Sequence, residues 1–306
     1  MFNHVLSVAL SLLFIASSVS AKSQVDTSQS PQRINKKKLA VAIGTETAFY
    51  AGGLTYLQYI WYKDHEPVPF HFYNDNKGYL QIDKFGHTYG AYIESYIGYH
   101  WLRSAGVSKN KSLLYGGSLG LLLQTPIEIF DGIYEGWGFS WGDMAANAAG
   151  SALLIGQEAL FDQQIVTYKF SFWRSEYSRN ANGYLGDSFL ESVFLDYNGH
   201  TYWLSTNLQS IAPKINLPPW LNIAAGYSAN GMYGEFKNRT YYDGEIIPEA
   251  SRQRQFLLSP DIDWTKIPTN RKLLKIVFRG MVFIKMPLPA LELNSKGKIR
   301  GYWMYY

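Results

Sequence analysis

Asp83 and His87 stand four residues apart and Glu94 follows, so a helix through this stretch keeps a carboxylate, an imidazole and a second carboxylate near one face, with Lys84 beside them. Gln124, Glu128 and Asp131, at i, i+4 and i+7, make a second polar stripe in an otherwise apolar segment. Asp143 and Asn147, one turn apart, make a third. Burying an unpaired charge is costly, so three such stripes are expected to face one another or a wet cavity. Two chemistries suit that pocket. His87 with Asp83, Glu128, Asp131 and Asp143 offers the N/O ligand set of a divalent metal, Mg, Mn or Zn, which would polarise a phosphoryl or carbonyl group. Alternatively His87, oriented by a carboxylate, acts as general acid or base while Lys84 neutralises an anionic substrate. The catalytic candidates are therefore His87, Glu128, Asp131, Asp83 and Asp143, and the substrate-binding candidates Lys84, Trp137 and Asn147. No spacing matches a sharp metal motif such as H-E-x-x-H, so the metal stays unassigned.

The same residues have plainer readings. Ser140-x-x-Asp143 is close to a capping box, in which the hydroxyl takes a first-turn N–H and the acid complements the helix dipole. Asp83 caps a helix equally well, with Lys84 a surface charge. Trp137, between Gly136 and Gly138, reads as a hinge or interface aromatic as readily as a substrate platform. Glu128, four residues before Gly132 at the end of an apolar helix, resists this treatment, because a carboxylate opposes the dipole at a C-terminus. Glu128 and Asp131, with His87, are the residues least explained by local structure.

The elements that must position these side chains change character along the chain. Leu39–Tyr62 is a long apolar and aromatic segment, long enough to cross a bilayer at roughly 20 residues per span. Further helices are expected over Asp83–Arg103, Ser112–Tyr134 and Gly142–Gln163, the last carrying so many Ala and Gly that backbones can approach closely. After Gln164 the period becomes two: Val166, Tyr168, Phe170 and Phe172 alternate with Thr167, Lys169 and Ser171, and the pattern recurs over 256–265. Other strands are expected over 201–207, 221–228 and 302–306, with turns at Asn198-Gly199, Asn230-Gly231 and Asp243-Gly244. The stretch 271–286 fits strand and helix alike. The fold class expected is α+β: an N-terminal bundle of about four apolar helices over 38–164, packed with a C-terminal antiparallel β-rich region over 165–306. About six strands are too few to assert a closed membrane barrel, which takes about eight. Ahead of the helices, Val5–Ser18 with Val19-Ser20-Ala21 looks like a signal peptide over 1–21, followed by a polar leader over 22–37.

Composition narrows the partners. The 306 residues include 9 Trp, 24 Tyr and 17 Phe, against 28 Lys+Arg and 24 Asp+Glu. Rings with a polar tip collect where one end is wet and the other greasy, at membrane interfaces above all. The net charge of +4 argues no nucleic-acid partner, and the lack of cysteine removes disulfides, thiolate metal sites and a lipidated cysteine together.

Three blocks of sequence resemble a known pattern: Asp83-Lys84-Phe85-Gly86-His87, then Glu128-Ile129-Phe130-Asp131-Gly132, then Gly136-Trp137-Gly138-Phe139-Ser140-Trp141-Gly142-Asp143 running on through Asn147 to Gly150. In order and spacing they resemble the YfiM-like family of periplasmic or envelope proteins, a domain of unknown function. They are similar, more loosely, to the VanZ-like membrane proteins, whose outline is Asp-Lys-x-x-His, a later Glu and a final Asp-x-x-x-Asn-x-x-Gly. The resemblance covers most of 70–292. It implies export to the cell envelope, on the periplasmic side and associated with the outer membrane. Membrane lipid or an envelope glycan intermediate, or an envelope protein, is then the expected partner. The rival expectation is a non-enzymatic accessory or scaffold in which the same polar residues hold helix register.

Overall fold

The computed structural model describes residues 34–306, so the expected signal peptide and most of the leader lie outside the described residues. The chain forms two compact units. Of the described residues, one comprises 34–73 with 90–164 and 269–280; the other comprises 74–89, 165–268 and 281–306. Mixed α and β structure with an antiparallel sheet is what the sequence periodicities predict.

In the helical unit, α1 (Lys36–Trp61) is capped by Asn35, whose side chain accepts the Lys38 N–H at 3.0 Å. None of its residues is buried, and Tyr50 fastens it by donating to the Leu123 carbonyl at 2.7 Å. Helix α2 (Ile82–Ser104) contributes its residues from Gly90 onward to this unit. The helix expected over Ser112–Tyr134 is not continuous. A π-helical turn at Ser112–Gly116, closed by the Gly117 N–H on the Ser112 carbonyl at 3.0 Å, precedes α3 (Leu119–Asp131), and there Gly116 packs directly on the backbone of Gly98. The stretch Lys109–Asp131 is long and apolar enough to cross a membrane by length and composition, and a third of its most apolar window is buried.

α4 (Trp141–Phe161) starts one residue before the expected Gly142 and closes the layer. Where α3 passes α2 the backbones nearly touch; a methyl on Gly120 would collide with the Ala91 carbonyl. That approach exposes the donors of the first turn of α3, and neighbouring helices supply the acceptors. Ser95 of α2 takes the Gly120 N–H at 3.1 Å and Ser151 of α4 takes the Leu121 N–H at 2.9 Å, the two hydroxyls bonding each other at 2.9 Å. The helix α6 (Lys272–Gly280) also belongs to this unit.

In the other unit, β1 (Val166–Phe172), β2 (His200–Asn207), β3 (Leu221–Asn230), β6 (Gln253–Ile262), β7 (Leu288–Asn294) and β8 (Ile299–Tyr305) form one antiparallel sheet in that order. The short β4 (Tyr241–Tyr242) and β5 (Glu245–Ile246) form a separate hairpin on the Asp243-Gly244 turn, both of whose residues have positive φ, as a type I′ turn requires. A short helix α5 (Phe189–Leu195) carries a capping box between Ser188 and Glu191. Three expectations are refined. Of the ambiguous stretch 271–286, Lys272–Gly280 forms α6 and the rest is non-helical, with Ile284 bridging Phe170; the sixth strand is β7, hidden in the sequence by Pro287 and Pro289. The strand expected to run to Thr265 ends at Ile262, where Asp263 caps a 3₁₀ turn.

The side chains of this sheet are inverted. On the inner face, Lys169, Ser171, Thr201, Ser205, Asn207, Asn222, Ser228, Gln255, Ser259, Asp261 and Glu292 are all buried, around an apolar cluster of Trp203, Ala224, Leu257 and Ala290. On the outer face of the same strands Leu204, Ile223, Phe256, Leu258, Leu291 and Leu293 are exposed, while Tyr168 and Tyr202 at its β1–β2 end are buried. The curled sheet encloses its own polar face. Tyr305 of β8 reaches Trp203 of β2 with ring centroids 5.9 Å apart, and the backbone of Phe170 bonds Phe283 and Lys285 along the free edge of β1. Lys169 donates to Asp261 at 2.7 Å, Ser205 donates to the same carboxylate at 2.5 Å, and Lys285 lies 4.0 Å from it, above the Trp203 ring. Burial pulls Lys285 down to about 8, against the pull of Asp261 and with the repulsion of Lys169.

Candidate functional site

In the sheet unit, the start of α2 is set by three consecutive left-handed residues, Tyr79, Leu80 and Gln81, with φ of 42°, 52° and 67°. Each side-chain-bearing residue in that conformation costs on the order of 1 kcal/mol, so neighbours must hold the turn. Tyr227 donates to the Leu80 carbonyl, Arg254 to the Gln81 side chain at 2.7 Å, and the Tyr79 N–H to the Glu235 carbonyl at 2.8 Å. The turn delivers Asp83, Lys84 and His87 together. Lys84 bridges Asp75 at 2.7 Å and Asp83 at 3.1 Å, Tyr197 donates to Asp83 at 3.2 Å, and His87 Nε2 lies 3.9 Å from Asp83 Oδ1. Burial would raise the Asp83 carboxyl, but His87, Lys84 and Tyr197 together outweigh it and hold it below its ordinary value. The pair can share one proton or one divalent ion, and Lys84 already places a cation on the other carboxylate oxygen.

His200, in the same unit, is the sharper titration marker. Its Nε2 faces the Val193 carbonyl at 2.9 Å, which fixes the proton there, and its Nδ1 accepts from Tyr202 at 3.2 Å. Burial pushes its pKa down to about 4, against smaller raising effects of the Val193 carbonyl and Asp83. The unfolded chain takes up the proton near pH 6.5 and the folded chain only near 4. Stability is therefore full above 6.5 and falls as the pH drops through that window, by about 3 kcal/mol in all. A His200→Gln variant is expected to flatten this part of the melting profile against pH; an unchanged slope would contradict the assignment.

In the helical unit, Glu128, Asp143 and Asn147 are buried, at 0, 2 and 0 % exposure. Ser140 caps α4 by accepting the Asp143 N–H at 3.2 Å, as its spacing predicts. The reciprocal half of the box, however, comes from another helix: Glu128 of α3 accepts the Ser140 N–H at 3.3 Å. The carboxylate that resists a local explanation thus ties the end of α3 to the start of α4. Asp131, one turn on, accepts from Tyr62, whose hydroxyl is raised above its ordinary value by burial and by Asp131 itself. Tyr62 stacks on Tyr134 at 4.6 Å and meets Trp137 edge-on at 5.3 Å. The Trp137 carbonyl is held by His71 Nε2 at 2.7 Å. Gln124 donates to Glu94 at 3.0 Å, an α3-to-α2 link.

Of the eight candidates, Asp83, Lys84 and His87 form one cluster, and Glu128 and Asp143 meet on Ser140 with Asn147 a turn further along α4. Asp131 and Trp137 meet on Tyr62. Sequence reasoning missed Tyr62, Asp75, Tyr197 and His200. Tyr62 and Tyr197 carry no spacing signal because their partners lie 69 and 114 residues away, and His200 is held by a backbone carbonyl and a hydroxyl of its own strand that no motif marks; Asp75 lies nine residues before Lys84 on the far side of the left-handed turn.

All eight candidates fall within one matched stretch. Residues 71–156 match the model of a family described as "Predicted periplasmic lipoprotein (DUF2279)". The match spans under a third of the chain and supports an envelope-located protein of unassigned biochemistry. Neither the curated proteins nor the solved structures contain a significant match to it.

Proposed function

We propose that this is a membrane-associated protein of the outer cell envelope that lies against lipid through the outer face of its β-sheet and serves as an accessory or scaffold rather than an enzyme. The observation that carries the reading is the inverted sheet. Phe256 and Leu258 are each 49 % exposed, and Leu291 and Leu293 are 53 and 47 % exposed, on strands whose opposite face buries Gln255, Ser259, Asp261 and Glu292 beside Leu257 and Ala290. Water-facing sheets bury their apolar set and expose the polar one; the reverse arrangement suits a hydrocarbon exterior. The helix α6 adds a second contact of the same kind. Lys272, Lys275 and Arg279 share one side, Leu274, Val277 and Phe278 the other, and Leu273 is 70 % exposed, which is the pattern of an interfacial helix on anionic lipid.

The polar residues of the helical unit support the non-enzymatic half of the proposal. Glu128, Asp143 and Asn147 are sealed from solvent, and the visible role of Glu128 is to close a cap between helices. The loose similarity to VanZ-like membrane proteins belongs to the same reading.

Flotation with vesicles of zwitterionic and anionic phospholipid tests it. The full chain is expected to float with the vesicles, and Phe256→Glu with Leu258→Lys to lower the bound fraction about tenfold or more, since each such side chain contributes ~1.5–3 kcal/mol when buried. The melting temperature should hardly move, because both residues are exposed in the folded chain. Equal flotation of variant and wild type would overturn the proposal, as would a wild-type chain that stays monomeric and lipid-free.

A further inference from the structure

One end of the sheet's polar face opens into a cavity of about 390 Å³, at the lower end of the range for small-molecule sites. Its inner wall holds Glu292, which is 3 % exposed. Gln255 donates to Glu292 Oε2 at 2.8 Å and Tyr302 to the same oxygen at 2.6 Å. Both bonds fall on one oxygen, which leaves Oε1 to accept a further donor. Asn230 lines the same wall, and its buried Oδ1 accepts no hydrogen bond from the protein. At the mouth stand Lys298 and Arg300, the latter with its guanidinium 5.0 Å from the Tyr302 ring centre.

The polarity of the cavity runs in one direction, from acceptors within to cations at the rim. A wall of carboxylate and amide oxygens selects donors, which an anion lacks and a polyol has. A rim of ammonium and guanidinium selects a compact anion, and a phosphate takes both. We infer that this cavity is a binding site for a phosphorylated sugar, hydroxyls inward on Glu292 and Asn230 and phosphate outward on Lys298 and Arg300. Either a free sugar phosphate or a lipid with a phosphosugar headgroup presents that chemistry. The inference goes beyond the lipid-docking reading and does not depend on it.

Titration of the detergent-solubilised full chain with glucose 6-phosphate, glucose and inorganic phosphate tests the site. Glucose 6-phosphate is expected to bind saturably and at least about tenfold more tightly than either of the other probes, and Lys298→Ala with Arg300→Ala to weaken it by about tenfold or more while leaving glucose unchanged. Asn230→Ala is expected to weaken glucose and glucose 6-phosphate alike. Inorganic phosphate binding as tightly as glucose 6-phosphate would reduce the site to a cationic patch and overturn the inference. So would the absence of saturable binding to folded wild type, or a double variant that binds as wild type does. Vesicles doped with a phosphorylated glucosamine lipid separate the sources. Extra capture that the double variant loses identifies a lipid headgroup; soluble binding without extra capture identifies the free sugar phosphate. Capture through the apolar sheet face survives the double variant, so the two proposals fail separately.

Discussion

Asp261→Ala is expected to unfold the sheet unit. Asp261 is the carboxylate within 4.0 Å of both Lys169 and Lys285, and all three side chains are almost wholly buried. Removing it leaves two ammoniums in a face closed to solvent, a loss of about 3–5 kcal/mol that is a large share of a typical domain's 5–15 kcal/mol. Ser205 and Asn222 would lose their place as well, because Ser205 donates to Asp261 and Asn222 donates to Ser205 at 2.8 Å. The measurement is thermal melting followed by near-ultraviolet circular dichroism, where Trp203 beneath Lys285 reports on the interior. Asp261→Asn keeps the acceptor for Ser205 and should fall between wild type and Ala. Replacing all three by apolar residues, Lys169→Met, Asp261→Leu and Lys285→Met, should recover much of the loss, since buried ion groups give little net stability over well-packed hydrocarbon. A cooperative melt of Asp261→Ala at the wild-type temperature would show that the triad is not held as described.

The second large effect is expected at Glu128, and it separates a structural from a chemical role. Glu128→Ala removes a charged acceptor from the Ser140 N–H in a site with no solvent, which costs about 2–4 kcal/mol. Glu128→Gln retains an acceptor oxygen of the same reach and should cost about 1 kcal/mol or less. If the cap is the role, envelope phenotype tracks melting temperature across the two variants, and Gln largely rescues. A Gln variant that melts like wild type but loses the phenotype completely would instead assign proton or metal chemistry to Glu128.

Much of this architecture is legible in the residues. The alternation along Val166–Phe172 and the Ser140 cap are local patterns, and each predicts the element found there. What period two does not contain is the choice of face. Tyr168 and Phe170 alternate with Lys169 and Ser171 whichever set turns inward, and only the partners decide: Lys169 is buried because Asp261, 92 residues later, is buried against it. The sixth strand escapes notice because Pro287 and Pro289 read as breakers, although Leu291 and Leu293 alternate with Glu292 as strand residues do. In the candidate site the i, i+4 pairing of Asp83 and His87 is visible in advance. The left-handed turn that aims them is not, since nothing about Tyr79-Leu80-Gln81 favours positive φ; the hydroxyl of Tyr227 and the side chain of Arg254 impose it.

The inverted sheet also bears on how such a chain crosses a membrane during export. An exposed apolar surface built from every second residue never appears as a continuous apolar run, so the strands between Val166 and Tyr305 hold nothing that a translocation channel would arrest as a spanning helix. The greasy surface comes into being only when the strands pair. Until then the segment travels as an ordinary mixed sequence, and on the lipid-docking proposal its affinity for lipid is switched on by folding itself.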